Sequence, residues 1–429
     1  MKQHNINDFK ILGVYQQRNK QYFMQRLKIC GGRITIPQLR KVAQLAIEYS
    51  DGFPIHITTR QDIELHNIKF ENICDVQQGL YQAGLNTYGA CGDSIRNITV
   101  CTCCCKATHG IEVLPMAQFI QINLRHIVSN YSLPRKFKIA FSGCPKGCGK
   151  AYINDLGFIA QENKRFTVIG AGSLGAKPNL GIKLYKDLPS KDVLPLCIAA
   201  IEFFAEQGNR ENRSQARFRH IREVMGNEKF KEVLDDCFKK TRESKPWPDF
   251  TLTLCQPEQK LHTLQLPDGN ITPADALVLA DYAEQFEATI RINLEHALEL
   301  SGQREVSLPP ELTKYTNNPV IVACPGYLIC PRGLADTYEA AKLIRDNFSN
   351  EQLKGLTIHI SGCPNNCAQS AIADIGLIGM LRKRNGQSQQ AYKILTGGGN
   401  GRNNKLAQHT DTVFTNELAK SFKKLIPLK

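Results

Sequence analysis

Tryptophan is nearly absent from this chain, one residue in 429, and no aromatic-rich basic repeat accompanies it. Bases are usually gripped by such repeats, so nucleic acid is not an expected partner. No run of 18 apolar residues occurs. The nearest, residues 193–205, is broken by Pro195 and Glu202, so no helical membrane span is expected. The opening MKQHNINDFK is polar and lacks the apolar core of a secretory signal, which points to the cytoplasm. The Gly-rich stretch TVIGAGSLGAKPNLGIKLY, residues 167–185, lacks the following helix and acidic residue of a dinucleotide fingerprint, so no nucleotide fold is expected.

Cysteine and positive charge, by contrast, are plentiful. Sixteen cysteines bunch as CTCCC, GCPKGC, CPGYLIC and GCPNNC. Clusters of this kind in a chain without a secretory signal suit metal or redox duty better than a disulfide framework. Cys324 and Cys330 form C-x5-C, and Cys363 and Cys367 form C-x3-C. Four thiols in two close pairs can wrap one soft centre. Zinc usually takes tighter pairs, so the wider spacing suits a bulkier iron–sulfur core. The formal charge of +14 calls for something acidic, either an anionic substrate or an acidic electron-donor protein.

Along the chain, QYFMQRLKI alternates as a strand does. Thr35 then caps a helix with Pro37 in its first turn and Leu39, Val42, Leu45 and Ala46 as its inward stripe. FPIHITTRQDIELHNI reads as one strand carrying His56, Thr58 and Arg60, and ICDVQQGLYQAGL as a second helix. Strand–helix–strand–helix order predicts an α+β layer with helices on one face. LPRKFKIAFSG reads as a strand with Lys136 and Lys138 on one face, running into GCPKGC. Residues 193–242 are helical in pattern, and KPWPD marks a boundary.

The chain also repeats itself. FKIAFSGCPKGCGKAYINDLGFIA superimposes on LTIHISGCPNNCAQSAIADIGLIG, with Ser142, Gly143, Cys144, Pro145, Cys148 and Asp155 matched by Ser361, Gly362, Cys363, Pro364, Cys367 and Asp374. A long unit present twice is a duplicated pair of domains, which would leave a cleft at the pseudo-two-fold interface. Domains are expected at residues 1–85, 86–248, 249–315 and 316–429.

On these motifs the chain resembles the sirohaem-dependent sulfite and nitrite reductases, over nearly its whole length and including the duplication. The resemblance implies an internally duplicated α+β fold of two ferredoxin-like half-domains and two α/β cluster-type domains. It implies a 4Fe–4S cluster on Cys324, Cys330, Cys363 and Cys367, with Cys367 bridging to the sirohaem iron. The family's anion site falls on Arg26, Arg96, Lys136 and Lys138. Its contacts to the sirohaem carboxylates fall on Thr58, Arg60 and Gln61, and on Gly397, Gly398, Gly399, Asn400 and Arg402. Flexible glycines would form an anion-binding nest in that second group. The implied activity is six-electron reduction of sulfite to sulfide or nitrite to ammonia, fed by ferredoxin or a flavoprotein.

Departures from the family pattern are visible too. His56 stands where arginine is expected and Glu64 where glutamine is usual. The first copy keeps Cys144 and Cys148 beside CTCCC, so a second 4Fe–4S cluster there would need a different pairing, Cys101 with Cys105. Two further readings stay open: an oxygenase like precorrin-3B synthase, and a non-catalytic iron–sulfur or sirohaem-binding protein. The complete Arg, Arg, Lys-x-Lys set counts against both.

Overall fold

A computed structural model describes residues 8–102, 110–128, 132–255, 259–303 and 306–426. Among them no helix is long and apolar enough to cross a membrane.

The helix Ile36–Tyr49 forms as its sequence dictates. Thr35 accepts from the Gln38 N–H while Gln38 answers the Thr35 N–H, and Leu39, Val42, Ala43, Leu45 and Ala46 are buried. It packs on its counterpart, Pro273–Gln285, and one hydrophobic core serves both ferredoxin-like halves. The two sheets are interlocked. Strands Val14–Gln16, Tyr22–Leu27, Ile63–Lys69 and Ile55–Ile57 accept Asn270–Ile271 from the other half at their edge. Gln259–Gln265, Ala297–Gly302 and Thr289–Ile292 accept Arg33–Ile34 in return. Each half thus covers an edge that would otherwise be an unpaired template.

Two further five-stranded sheets share one topology. In the first, Thr99–Val100, Ile139–Ser142 and Leu156–Ala160 run parallel, and Phe166–Gly170 and Ile182–Leu188 continue antiparallel. In the second, Val320–Ala323, Thr357–Ser361 and Ile375–Arg384 run parallel before Gln387–Thr396 and Gln408–Phe414. Register repeats as well: Ile139 pairs Leu156, and Ile358 pairs Ile375. Helices Val193–Gln207, Phe218–Met225 and Asn227–Glu243 follow the first sheet, as the charge-rich pattern predicted.

One expectation is corrected here. FPIHITTRQDIELHNI is not a single strand but two antiparallel ones, Ile55–Ile57 and Ile63–Lys69, joined by a tight turn. The Thr58 hydroxyl accepts the N–H groups of Arg60 and Asp62, and Gln61 takes a left-handed φ of 60°. The hydroxyl supplies the local partner that turns a β-prone run back on itself.

Candidate active site

Between the halves lies a cleft of about 1860 Å³. Arg26, Arg96, Lys136 and Lys138 line it, as do Thr58, Arg60 and all four cysteines Cys324, Cys330, Cys363 and Cys367. The cations come from the first half of the chain and the thiols from the second.

Local structure fixes the thiols. Cys324 follows the strand Val320–Ala323, the one-turn helix Gly326–Ile329 leads to Cys330, and the turn after Thr357–Ser361 carries Cys363 and Cys367. Gly326 has a φ of 57°, and Thr337 Oγ1 lies where its Cβ would stand. The Gly362 N–H donates to Cys324 Sγ at 3.2 Å. Backbone N–H groups of Arg332 and Gly333 face Cys330, and that of Asn365 faces Cys363. Burial, with the neighbouring thiols adding to it, pushes Cys324 and Cys330 up and Cys363 to about 11. Thiols that resist ionising alone, yet face several N–H donors, suit a cationic core that deprotonates them on binding. Among the described residues no three His, Cys, Asp or Glu side chains gather closely enough to hold a single metal ion. The four thiols line the cleft, with Cys367 near enough to raise the other three.

The cations are packed tightly enough to perturb one another. Lys136 is lowered to about 7, by burial first and then by Arg96. Lys138 falls well below the usual lysine range through burial, Arg60 and Lys136. Arg96 donates to the carbonyls of Ala90 and Gly92, which holds its head in place. Arg26 donates Nε and Nη2 to Glu64 at 2.8 and 2.6 Å, and Glu64 also lies 3.1 Å from His66. His56 pairs with Asn270 across the half-domain boundary at 3.0 Å and packs edge-on to His296.

Sequence reasoning missed Arg217, which lines the cleft and grips Asp155 through Nη2 at 2.9 and 3.1 Å. Its segment, ARFRHIRE, looked like an ordinary charged helix face; the density of arginine was the available signal. Nε of Arg60, Arg96 and Arg217 is buried and has no hydrogen-bond partner. Orphaned guanidinium donors around a large cleft are what a polycarboxylate such as sirohaem would satisfy. The residues present therefore fit that group.

Other expected contact residues lie away from the cleft. Gln61 does not reach the cleft. It is fully buried, Nε2 donating to the carbonyls of Val100 and Ile292 at 2.8 Å and Gly31 at 3.2 Å while Oε1 accepts the Val100 N–H. The nest expected at Gly397–Asn400 does not form either. The N–H groups of Gly397, Gly398, Gly399 and Asn400 are taken up by the carbonyls of Asp374, Ala373, Lys405 and Ile372, and that of Arg402 by Gly399. Neither this turn nor Arg402, which is exposed, lines the cleft.

In the first copy the Gly143 N–H donates to Cys101 Sγ at 3.1 Å, repeating the bond at Cys324. Cys101, Cys144 and Cys148 do not line the cleft. Cys103, Cys104 and Cys105, and with them the expected Cys101–Cys105 pairing, lie outside the described residues.

The description "Nitrite and sulphite reductase 4Fe-4S domain" matches residues 91–241 and 315–427, and "Nitrite/Sulfite reductase ferredoxin-like half domain" matches residues 15–83. The chain belongs to the nitrite and sulfite reductase family. It is 30% identical to an assimilatory ferredoxin-dependent nitrite reductase of Haloferax mediterranei, over 92% of this chain and 77% of that protein. It is 26% identical to sulfite reductase (ferredoxin) 2 of Mycolicibacterium paratuberculosis, over 91% of this chain and 73% of that one. The NirA protein of Mycobacterium tuberculosis shares the fold, with a TM-score of 0.81 at 23% identity over 98% of this chain and 86% of that chain. The reductase is thus an oxidoreductase with an iron–sulfur domain, built on a duplicated α+β fold. The oxygenase and non-catalytic readings are not favoured.

Proposed function

We propose that the reductase binds nitrite or sulfite in this cleft and reduces it by six electrons taken singly from ferredoxin or a similar acidic donor. The carrying observation is that four cations and four cysteines, drawn from opposite halves, face one space. Sirohaem and a 4Fe–4S cluster, when bound, would supply the electron storage and the open iron position that side chains lack. Cys324, Cys330, Cys363 and Cys367 would hold the cluster; Thr58, Arg60 and Arg217 would hold the haem carboxylates.

The polypeptide's own part is charge and protons. Arg26 and Arg96 are fixed donors that offset an anion's charge and favour oxygen as it departs. Lys136, near neutrality, can both give and take a proton at working pH. A polyanionic occupant raises both lysines again, so binding itself loads them with protons. The +14 formal charge suits fast, transient encounters with an acidic donor.

The test is anaerobic purification from a sirohaem-making host, followed by visible spectroscopy, iron and acid-labile sulfide analysis, and viologen-driven turnover of both anions. Sirohaem bands, cluster iron and turnover of at least one anion are expected. Their absence together would defeat the reading.

A further inference from the structure

Glu64 lines the cleft and is ion-paired with one cation of the anion site, Arg26. It stands on the strand Ile63–Lys69, paired in register with Arg26, and its side chain is 5% exposed. One carboxylate oxygen takes both Arg26 Nε and Nη2. That leaves Nη1, whose contact is the Ala90 carbonyl at 3.4 Å. The other oxygen faces His66 Nε2. Half of the Arg26 donor fork, and much of its charge, is therefore answered before any substrate arrives.

Positioning Arg26 does not require a charge there. A glutamine oxygen, usual at this place in the proteins the sequence resembles, could accept the same two bonds. A buried carboxylate is a costlier acceptor than an amide, and its negative charge also acts on whatever shares the cleft, which Glu64 lines. Burial favours its neutral form, but Arg26 and His66 outweigh burial and hold it ionised.

We infer that Glu64 sets substrate charge, making the site favour a monoanion, nitrite, over the dianion sulfite. The inference rests on the proposed reduction of these anions. A fixed negative charge repels each substrate charge once, so the dianion suffers one extra unit of repulsion. For charges about 12 Å apart at an effective dielectric of about 20, that is about tenfold in relative binding.

The experiment compares wild-type, Glu64→Gln and Glu64→Asp holoenzymes at mildly alkaline pH, where sulfite is a dianion. It measures kcat and KM for both anions with reduced viologen, and Kd for each by spectral titration of the resting protein. Glu64→Gln should raise the sulfite-to-nitrite ratio of kcat/KM about tenfold, mainly through KM, with the same change in Kd. Glu64→Asp, keeping the charge, should keep the wild-type ratio. An unchanged ratio in Glu64→Gln, or equal losses for both anions, would show that Glu64 only holds Arg26. Should Glu64→Gln lose its cofactors, the wild type decides: tighter binding of sulfite than nitrite overturns the inference. Turnover of neither anion by wild type removes the functional reading itself.

Discussion

Gln61→Leu tests whether this residue serves the cofactor or the frame. Leucine nearly matches the volume, so the change removes hydrogen bonds without opening a large void. The side-chain amide has two N–H groups for three carbonyls, and the Gly31 carbonyl keeps a second donor in Arg291 at 3.1 Å. The groups left unpaired are the Val100 N–H, the Val100 carbonyl and the Ile292 carbonyl. At about 1–2 kcal/mol for each buried orphan, the loss is about 3–6 kcal/mol. That is a large fraction of a typical domain's stability. The assay is urea unfolding of the cofactor-free protein, followed by far-UV circular dichroism. A clear drop in midpoint is expected, because Gln61 ties the turn at Thr58–Asp62 to a strand of each half. A midpoint like that of wild type, together with lost sirohaem, would return Gln61 to the cofactor site and refute the reasoning.

Two more predictions follow from buried groups. Burial lowers His56 to about 4 despite the opposing pull of Glu64, so below its ordinary pKa the unfolded chain binds a proton that the folded one refuses. Stability from this group is complete above about pH 6.5 and declines by about 3 kcal/mol as pH falls toward 4. His56→Gln should flatten that part of the stability–pH curve, and an identical slope in the variant would count against it. Cys144→Ala should leave iron and acid-labile sulfide at wild-type levels, since the first copy has no C-x5-C. A loss of about half of the iron would instead establish a second cluster there.

The sequence made some parts legible and hid others for physical reasons. Thr35, Gln38 and Pro37 announce a helix start because capping chemistry is local. Cys324, Cys330, Cys363 and Cys367 are readable as one set because they fall in two close pairs, and the Lys-x-Lys pair because alternate residues share a face, although the strand itself begins only at Ile139. The turn at Thr58–Asp62 was hidden because its left-handed residue is Gln61, neither Gly nor Asn, stabilised by three carbonyls distant in sequence. Strand exchange between the half-domains was hidden too, since Arg33–Ile34 and Asn270–Ile271 are too short to show any period. Flexible glycines at 397–399 suggested a nest, but their N–H groups close a turn against Asp374, Ala373 and Lys405. Composition indicates what a loop can adopt, and its neighbours decide what it does.

Duplication explains how one frame came to hold two chemistries. Lys150 and Gln369, at equivalent positions and both with left-handed φ, meet between the copies, Lys150 Nζ donating to Gln369 Oε1 at 3.0 Å. In each copy one aspartate secures the strand that enters the cysteine turn. Asp155 accepts the Lys138 N–H and Asp374 the Thr357 N–H, at 2.8 and 2.9 Å. In the second copy the Thr357 hydroxyl closes onto that same aspartate at 2.7 Å, and the strand keeps its polarity to itself. In the first copy Arg217 takes the aspartate instead, and the Lys138 side chain lines the cleft. A shared backbone bond therefore carries different side chains, leaving one copy to supply cations and the other thiols. The cleft needs both, so neither half alone would make the site.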